Sequence, residues 1–417
     1  MREVSSVRRP PAQTVGWGFV AAYALAFMSV ALMVIAPLLV TLALKIRSLV
    51  GVEQAPGSLA LVTGVGGLLA LVSAPVFGRL SDRTASRFGM RRPWMLGGLV
   101  GGCVGILVVA AAPTVPVVLV GWCVAQLSFN ALQAALVAVL PDQVPPTQRG
   151  MVSGVLGVSL PVASVGGTFL VQLFAGNQLA MFLVPCAIGA MLVLLFVATL
   201  DDRRLAAPSA PSWSLRDLLA AFYVNPRRDP DFAWAFAGRF LFICGFAFLT
   251  TYQAYYLLDR IGTAEADVPR QIFLATLVQS AVLVVASLVG GRLSDRTGRR
   301  KVFVATASTI YGLALLVVAA ASTFEGFLIG MAVGGLGFGL YMAVDLALVT
   351  DVLPDPENAG KDLGVFNIAN ALPYAFAPAV APAILAASGD SYAALYAVAA
   401  ACAFLGALAV VPIRGVR

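Results

Sequence analysis

Two ionisable side chains stand well inside long apolar stretches of the chain. Arg239 lies about 7 residues into the stretch 233 to 257, and Asp345 about 6 residues before the end of the stretch 326 to 350. At 1.5 Å of rise per residue, helices would place both about 10 Å below the ends of their segments. A lone charge at that depth in an apolar medium costs several kcal/mol, so such residues pair, face a wet cavity and mark an ion or proton path. Opposite sign and shared depth suit a pair in which Asp345 takes up and releases a proton while Arg239 keeps it ionised. A permanent gating salt bridge, with Arg239 partly reaching back to the membrane surface, fits the same two residues.

The chain has no histidine and 20 acidic residues, so any proton chemistry rests on carboxylates. The absence of imidazole excludes Ser-His-Asp and Cys-His nucleophile systems and His-ligated zinc or haem. The five cysteines, Cys103, Cys123, Cys186, Cys244 and Cys402, are scattered through apolar runs and read as small buried hydrophobes, with no metal or disulfide role. No Gly-x-x-x-x-Gly-Lys-Ser/Thr loop occurs. These observations predict a protein that is not an enzyme and carries no cofactor or metal.

The elements that must hold such charges follow from composition. Of 417 residues, 60% are hydrophobic and 11% charged, against about 25% charged in soluble proteins, and the mean hydropathy is +0.92. Twelve apolar runs can be drawn, near 17–44, 58–78, 94–112, 116–140, 151–175, 179–200, 233–257, 270–290, 301–321, 326–350, 363–387 and 392–412. Each is long enough to cross a bilayer as a helix, the open-chain structure that satisfies its own backbone in lipid. The spacing therefore predicts an all-α membrane protein of twelve transmembrane helices. Basic loops stay cytoplasmic. With the N-terminus inside, 22 of the 27 Lys and Arg fall on the cytoplasmic side, four (Lys45, Arg47, Arg260, Arg270) outside, and Arg239 within a span. The expectation is a multi-pass protein of the plasma (inner) membrane with both termini cytoplasmic. The +7 balance is thereby a topology signal and implies no nucleic-acid partner.

An internal repeat divides the chain. Residues 78–84 and 291–297 share the sequence Gly-Arg-Leu-Ser-Asp-Arg-Thr, and Asp142-Gln-Val-Pro145 is echoed by Asp351-Val-Leu-Pro354. Residues 201–232 carry five Arg, five Asp and four Pro. The predicted organisation is an N-terminal six-helix half (1–200), a cytoplasmic connector (201–232) and a C-terminal six-helix half (233–417). Paired halves of this kind are the pattern of secondary transporters with a midplane site between the halves. Glycine at Gly78 and Gly291 is expected to let helices approach closely, and Asp82 and Asp295 to accept from a helix N-terminus or pair with arginine.

On these residues the chain resembles the major facilitator superfamily over essentially its whole length. The loop pattern Gly-x-Leu-x-Asp-Arg-x-Gly-Arg-Arg/Lys is met in full by Gly291, Leu293, Asp295, Arg296, Gly298, Arg299 and Arg300. The N-terminal copy keeps Gly78, Leu80, Asp82 and Arg83, then continues through Arg87, Arg91 and Arg92, a longer loop that looks like the glycoside and sucrose cation-symporter branch. The resemblance implies two pseudo-symmetric halves, a cytoplasmic latch formed by these loops with Asp142, Asp351 and Glu357 as partners, and a central cavity lined by spans 1, 4, 7 and 10. It implies a monomeric carrier of a small-molecule substrate in the lipid bilayer, coupled to protons, with sugar or glycoside uptake leading and efflux of drugs or metabolites as the alternative. Two departures stand out. No N-half span has an ionisable residue in its interior, so the acidic sodium site of melibiose-type symporters has no counterpart. The span 5 antiporter motif is degraded around Gly157-Val-Ser-Leu-Pro161.

Polar residues at helical spacing outline the candidate cavity. Gln126, Asn130 and Gln133 share one face of their helix; Asn367, Asn370 and Tyr374 share another; Tyr341 shares a face with Asp345; Tyr252 and Gln253 end span 7. Amide and phenol groups suit sugar hydroxyls and many drugs alike. Interhelical hydrogen bonding accounts for the same residues, and an interfacial aromatic belt accounts for Tyr255 and Tyr256. Pro161 and Pro373 are expected to bend spans 5 and 11.

Overall fold

The computed structural model describes residues 14–202, 228–352 and 359–413, all helices and short connections, with no strand among them. Arg2, Arg8, Arg9, Arg414, Arg417, Glu357 and most of the expected connector lie outside these residues. Eleven helices are long and apolar enough to cross a membrane, the first running from Trp17 to Asp82 over 66 residues. A helix of that length would measure about 100 Å, some three times the hydrocarbon thickness. It is broken at Gly51, whose backbone (φ 75°, ψ −177°) is not helical and suits glycine alone. The run is therefore two spans, which makes twelve among the described residues.

Span 1 is Trp17–Ala36, a wide π-helical turn Pro37–Thr41 and the helix on to Gly51; span 2 continues to Asp82. Spans 3 and 4 are Arg92–Ala111 and Val115–Gln143; span 5 is Pro146–Gly157 with Ser159–Leu173; span 6 is Gln178–Thr199. In the second half, span 7 is Pro230–Tyr255 with a π-helical turn Tyr256–Ile261, and spans 8, 9 and 10 are Val268–Thr297, Arg300–Ala320 and Phe324–Asp351. Span 11 is Ala359–Ala371 with Pro373–Ala387, and span 12 is Tyr392–Ala409. The two expected bends are present. Pro161 has no N–H for the carbonyl one turn back, that of Gly157, which is where span 5 breaks; Pro373 begins the second segment of span 11.

Three local expectations are corrected. The helix of span 1 continues through residues 45–50, so an N-half span does carry an ionisable residue in its interior: Lys45 is buried, its Nζ donating to Ala110 O at 3.0 Å. That carbonyl belongs to the last turn of span 3, where orphan acceptors and the helix dipole favour a cation. Tyr255 and Tyr256 form no interfacial belt, since both are fully buried. The Tyr255 hydroxyl donates to Ala43 O at 3.0 Å and that of Tyr256 to Ala321 O at 2.7 Å. Finally, Gly78 and Gly291 do not mark close helix contacts. A Cβ at Gly78 would meet nothing within 4 Å, and one at Gly291 only Ala343 Cβ at 3.8 Å. Backbone approach occurs instead within the halves: a Cβ on Gly105 of span 3 would stand 2.5 Å from Ala125 N of span 4, and one on Gly339 of span 10 would strike the Leu283 carbonyl of span 8. These helices touch where no side chain fits, which holds each half together by van der Waals contact in a solvent that offers no hydrophobic drive. Between the halves, span 2 packs on span 11 and span 5 on span 8, with Gly67 against the Ala375 backbone and Phe169 against Phe273.

Candidate functional site

Span 7 and span 10 bring Arg239 and Asp345 together as an ion pair. Asp345 is 3% exposed. The other guanidinium Nη donates to Asn370 Oδ1 at 3.3 Å, and the cation lies 4.8 Å over the Phe366 ring. Arg239 is thus held by a carboxylate, an amide and a π face, the last two from span 11, while its Nε has no partner among the described residues. Tyr341 stands one turn before Asp345 on span 10 and is likewise buried. Its ring stacks on Phe242 at 3.7 Å and 6°. Phe246 and Phe338 follow at 4.5 Å, with Tyr374 edge-on to Phe246 at 6.5 Å. The charge pair therefore sits at one end of an aromatic wall built by spans 7, 10 and 11. A proton arriving at Asp345 would release Arg239 to its weaker partners, which couples one ionisation to the contact between three helices.

The remaining polar residues divide by exposure. Gln126, Asn130, Gln133, Asn370 and Tyr374 are half-buried and Asn367 is exposed; Asn130 Nδ2 donates to Gln126 O at 2.8 Å. Tyr252 and Gln253 are buried, and the Tyr252 hydroxyl donates to Pro378 O at 3.2 Å.

At the end of the bundle that carries the repeated loops, Arg91 is buried. It bonds Asp82 at 2.6 Å, Asp142 at 2.9 Å and Ser81 Oγ at 2.8 Å. In the second half Arg300 bonds Asp351 at 2.6 Å and Ala347 O at 3.0 Å. Arg91 and Arg300, like Asp142 and Asp351, are 209 positions apart, so the duplication has preserved the pair as well as the motif. Both pairs lie within their own half. Arg92 donates to the Leu200 carbonyl, Arg87 lies 4.8 Å over the Phe88 ring and is exposed, and Arg83 is half-buried. Asp295, Arg296 and Arg299 are exposed.

The opposite end joins the two halves directly. Arg47, at the end of span 1, bonds Asp259, at the end of span 7, at 2.6 Å, and Tyr392 donates to the same carboxylate at 3.3 Å. Tyr255 to Ala43 O and Tyr252 to Pro56 O at 3.4 Å add two more bonds across that seam.

With this geometry in place, comparison with known families is decisive: the Major Facilitator Superfamily description matches residues 18–278 and 266–416. The chain belongs to the Major Facilitator Superfamily. It is a secondary transporter, a carrier and not an enzyme. Among solved structures, this superfamily member is similar to the nucleoside transporter NupG, with a TM-score of 0.75, 14% identity and coverage of 95% of this chain and 99% of that one. A bacterial homologue of the human lysosomal transporter Spinster, in an inward-facing and unoccupied conformation, gives a TM-score of 0.68 at 14% identity over 95% and 97%. At these identities the likeness concerns the fold. Among curated proteins, the multidrug resistance protein MdtL of Klebsiella pneumoniae subsp. pneumoniae is 34% identical over 134 residues, 31% of this chain and 33% of that protein. The multidrug transporter mfsC of Aspergillus fumigatus is 28% identical over 109 residues, 26% and 20% of the two chains. The chain thus matches about a third or less of the length of these curated relatives.

Sequence reasoning missed three participants in this superfamily member. Asp202 accepts from the backbone N–H groups of Arg91 at 2.8 Å and Arg92 at 2.7 Å, and Arg47 and Asp259 form the seam opposite. All join positions more than 100 residues apart, for which no local pattern exists. The two loop pairs also differ in a testable way. The Arg91 side chain is 5% exposed, whereas Arg300 and Asp351 are 31% and 39% exposed. Arg91→Ala is expected to lower stability by about 2 kcal/mol, allowing for solvent screening of Asp82, and Arg300→Ala by under about 1 kcal/mol. Thermal unfolding of the purified variants checks the order; equal losses would contradict it.

Proposed function

We propose that this carrier is proton-coupled and expels amphipathic organic compounds, with Asp345 as the group that takes up the proton and Arg239 as its counter-ion. The buried Arg239–Asp345 pair at the end of an aromatic wall carries this reading. A carboxylate held at that depth has one partner strong enough to keep it charged, so protonation and release of the pair are the same event. Aromatic rings beside a polar tip suit amphipathic solutes, and the local likeness to multidrug transporters supports the same direction. Sugar or glycoside uptake, as in the symporter branch suggested by the long loop at 79–93, is the second reading, favoured by the half-buried amides Gln126, Asn130 and Gln133.

In either reading the halves 1–200 and 233–417 rock about the midplane, with 201–232 as their connector and the loops at Gly78 to Arg92 and Gly291 to Arg300 as the latch. Both termini face the cytoplasm, the chain resides in the plasma (inner) membrane, and it works as a monomer. Proteoliposomes decide between the readings. With an imposed pH gradient, a fluorescent lipophilic compound should be moved against its gradient, whereas labelled disaccharides should show no saturable uptake. Saturable, gradient-driven disaccharide uptake would replace export with the symport reading.

A further inference from the structure

The outer face of spans 2, 3 and 4 carries an apolar groove of about 430 Å³, lined by Phe77, Thr84, Trp94, Gly97, Gly98 and Leu127 among others. That volume is within the range of about 300–1,000 Å³ found for small-molecule sites. The groove is built rather than incidental. Phe77 and Trp94, tilted by 53° with ring centroids 5.6 Å apart, form one wall, and Trp94 Nε1 donates to Thr84 Oγ1 at 2.7 Å. Its floor is open because Gly97 has no side chain, and a Cβ there would meet nothing within 4 Å. It runs along the first two turns of span 3, starting at the loop.

The loop above it, residues 79–93, holds five arginines and one acid. The Arg91 side chain is taken up by Asp82 and Asp142 and that of Arg92 by the Leu200 carbonyl, while their backbone N–H groups donate to Asp202. Arg87, three residues beyond Thr84, is exposed beside the exposed Phe88 ring. Arg87 thus belongs to the loop that joins two residues lining the groove, Thr84 and Pro93, and an apolar slot bordered by a loop with an exposed cation is complementary to one molecule class in a bilayer. We propose that this groove binds an anionic glycerophospholipid, with an acyl chain along Gly97 and Leu127 and its phosphate at Arg87.

The test uses the purified full-length protein, equilibrated with mixed micelles of phosphatidylglycerol and phosphatidylcholine and read by native mass spectrometry. The wild type is expected to retain one phosphatidylglycerol per chain in preference to phosphatidylcholine by about fivefold, the contribution of one arginine near an anionic headgroup. Gly97→Leu, which places a side chain into open space, should abolish that retention. Arg87→Gln, at an exposed position that leaves folding intact, should retain both lipids equally. Equal retention of the two lipids by the wild type would overturn the proposal. So would unchanged retention in Gly97→Leu, which would identify the lipid as annular only.

Discussion

Replacing Asp345 by Asn is expected to leave a folded carrier that still exchanges solute at equal pH but no longer accumulates it in response to a pH gradient. The amide keeps the shape of the carboxylate, and Arg239 retains Asn370 and the Phe366 ring as partners. What is lost is the one buried carboxylate among the described residues, the group to which the proton is assigned. Arg239→Ala should be the more damaging change, because it leaves a carboxylate that is 3% exposed without its counter-charge. Removing one member of a buried ion pair costs about 3–5 kcal/mol. The double variant Arg239→Gln/Asp345→Asn should recover part of that loss, since two neutral amides need no compensating charge. Thermal unfolding and proteoliposome transport measure the two effects separately. Full dependence on the proton gradient in Asp345→Asn would remove the coupling role from this residue.

The second large effect is expected at the opposite end of the bundle. Arg47→Glu places two carboxylates where Arg47 and Asp259 now meet at 2.6 Å. Loss of this partly exposed ion pair, whose side chains are 18% and 23% exposed, is worth about 1 kcal/mol, and like-charge repulsion adds to it. An opening of that seam by about tenfold in population is therefore expected. Ala43→Cys is a suitable reporter, because Ala43 is buried under the Tyr255 hydroxyl at the seam. In a background with the native cysteines replaced by Ala, a membrane-impermeant maleimide should label it about tenfold faster in the Arg47→Glu variant. Adding Asp259→Arg restores opposite charges and should return labelling to its original rate. Unchanged labelling in Arg47→Glu would show that Tyr252, Tyr255 and helix packing close this end without the ion pair.

Much of this architecture was legible before any coordinates, for a physical reason. A bilayer allows few solutions, so apolar run length alone predicts the number of crossings, and eleven continuous helices become twelve once Gly51 divides the first. The 78–84 and 291–297 repeat likewise announces two halves, and the Asp142 and Asp351 echo points to partners that Arg91 and Arg300 do engage. Arg239 and Asp345 were a foreseeable pair because the cost of an isolated charge in hydrocarbon leaves few alternatives.

The spans, the duplication and the charges that must find partners thus follow from the solvent and from local spacing. Which partners those charges found follows from packing alone. Asn370 and Phe366 come to Arg239 from span 11, Asp202 comes to the 79–93 loop from the far side of span 6, and Arg47 meets Asp259 across 212 positions. The same packing buried Tyr252, Tyr255 and Tyr256 and drew Lys45 to the end of span 3. These outcomes depend on how helices rotate and cross, and that is set by glycine-lined contacts such as Gly105 on Ala125 and Gly339 on Leu283, which no periodicity along a single helix encodes.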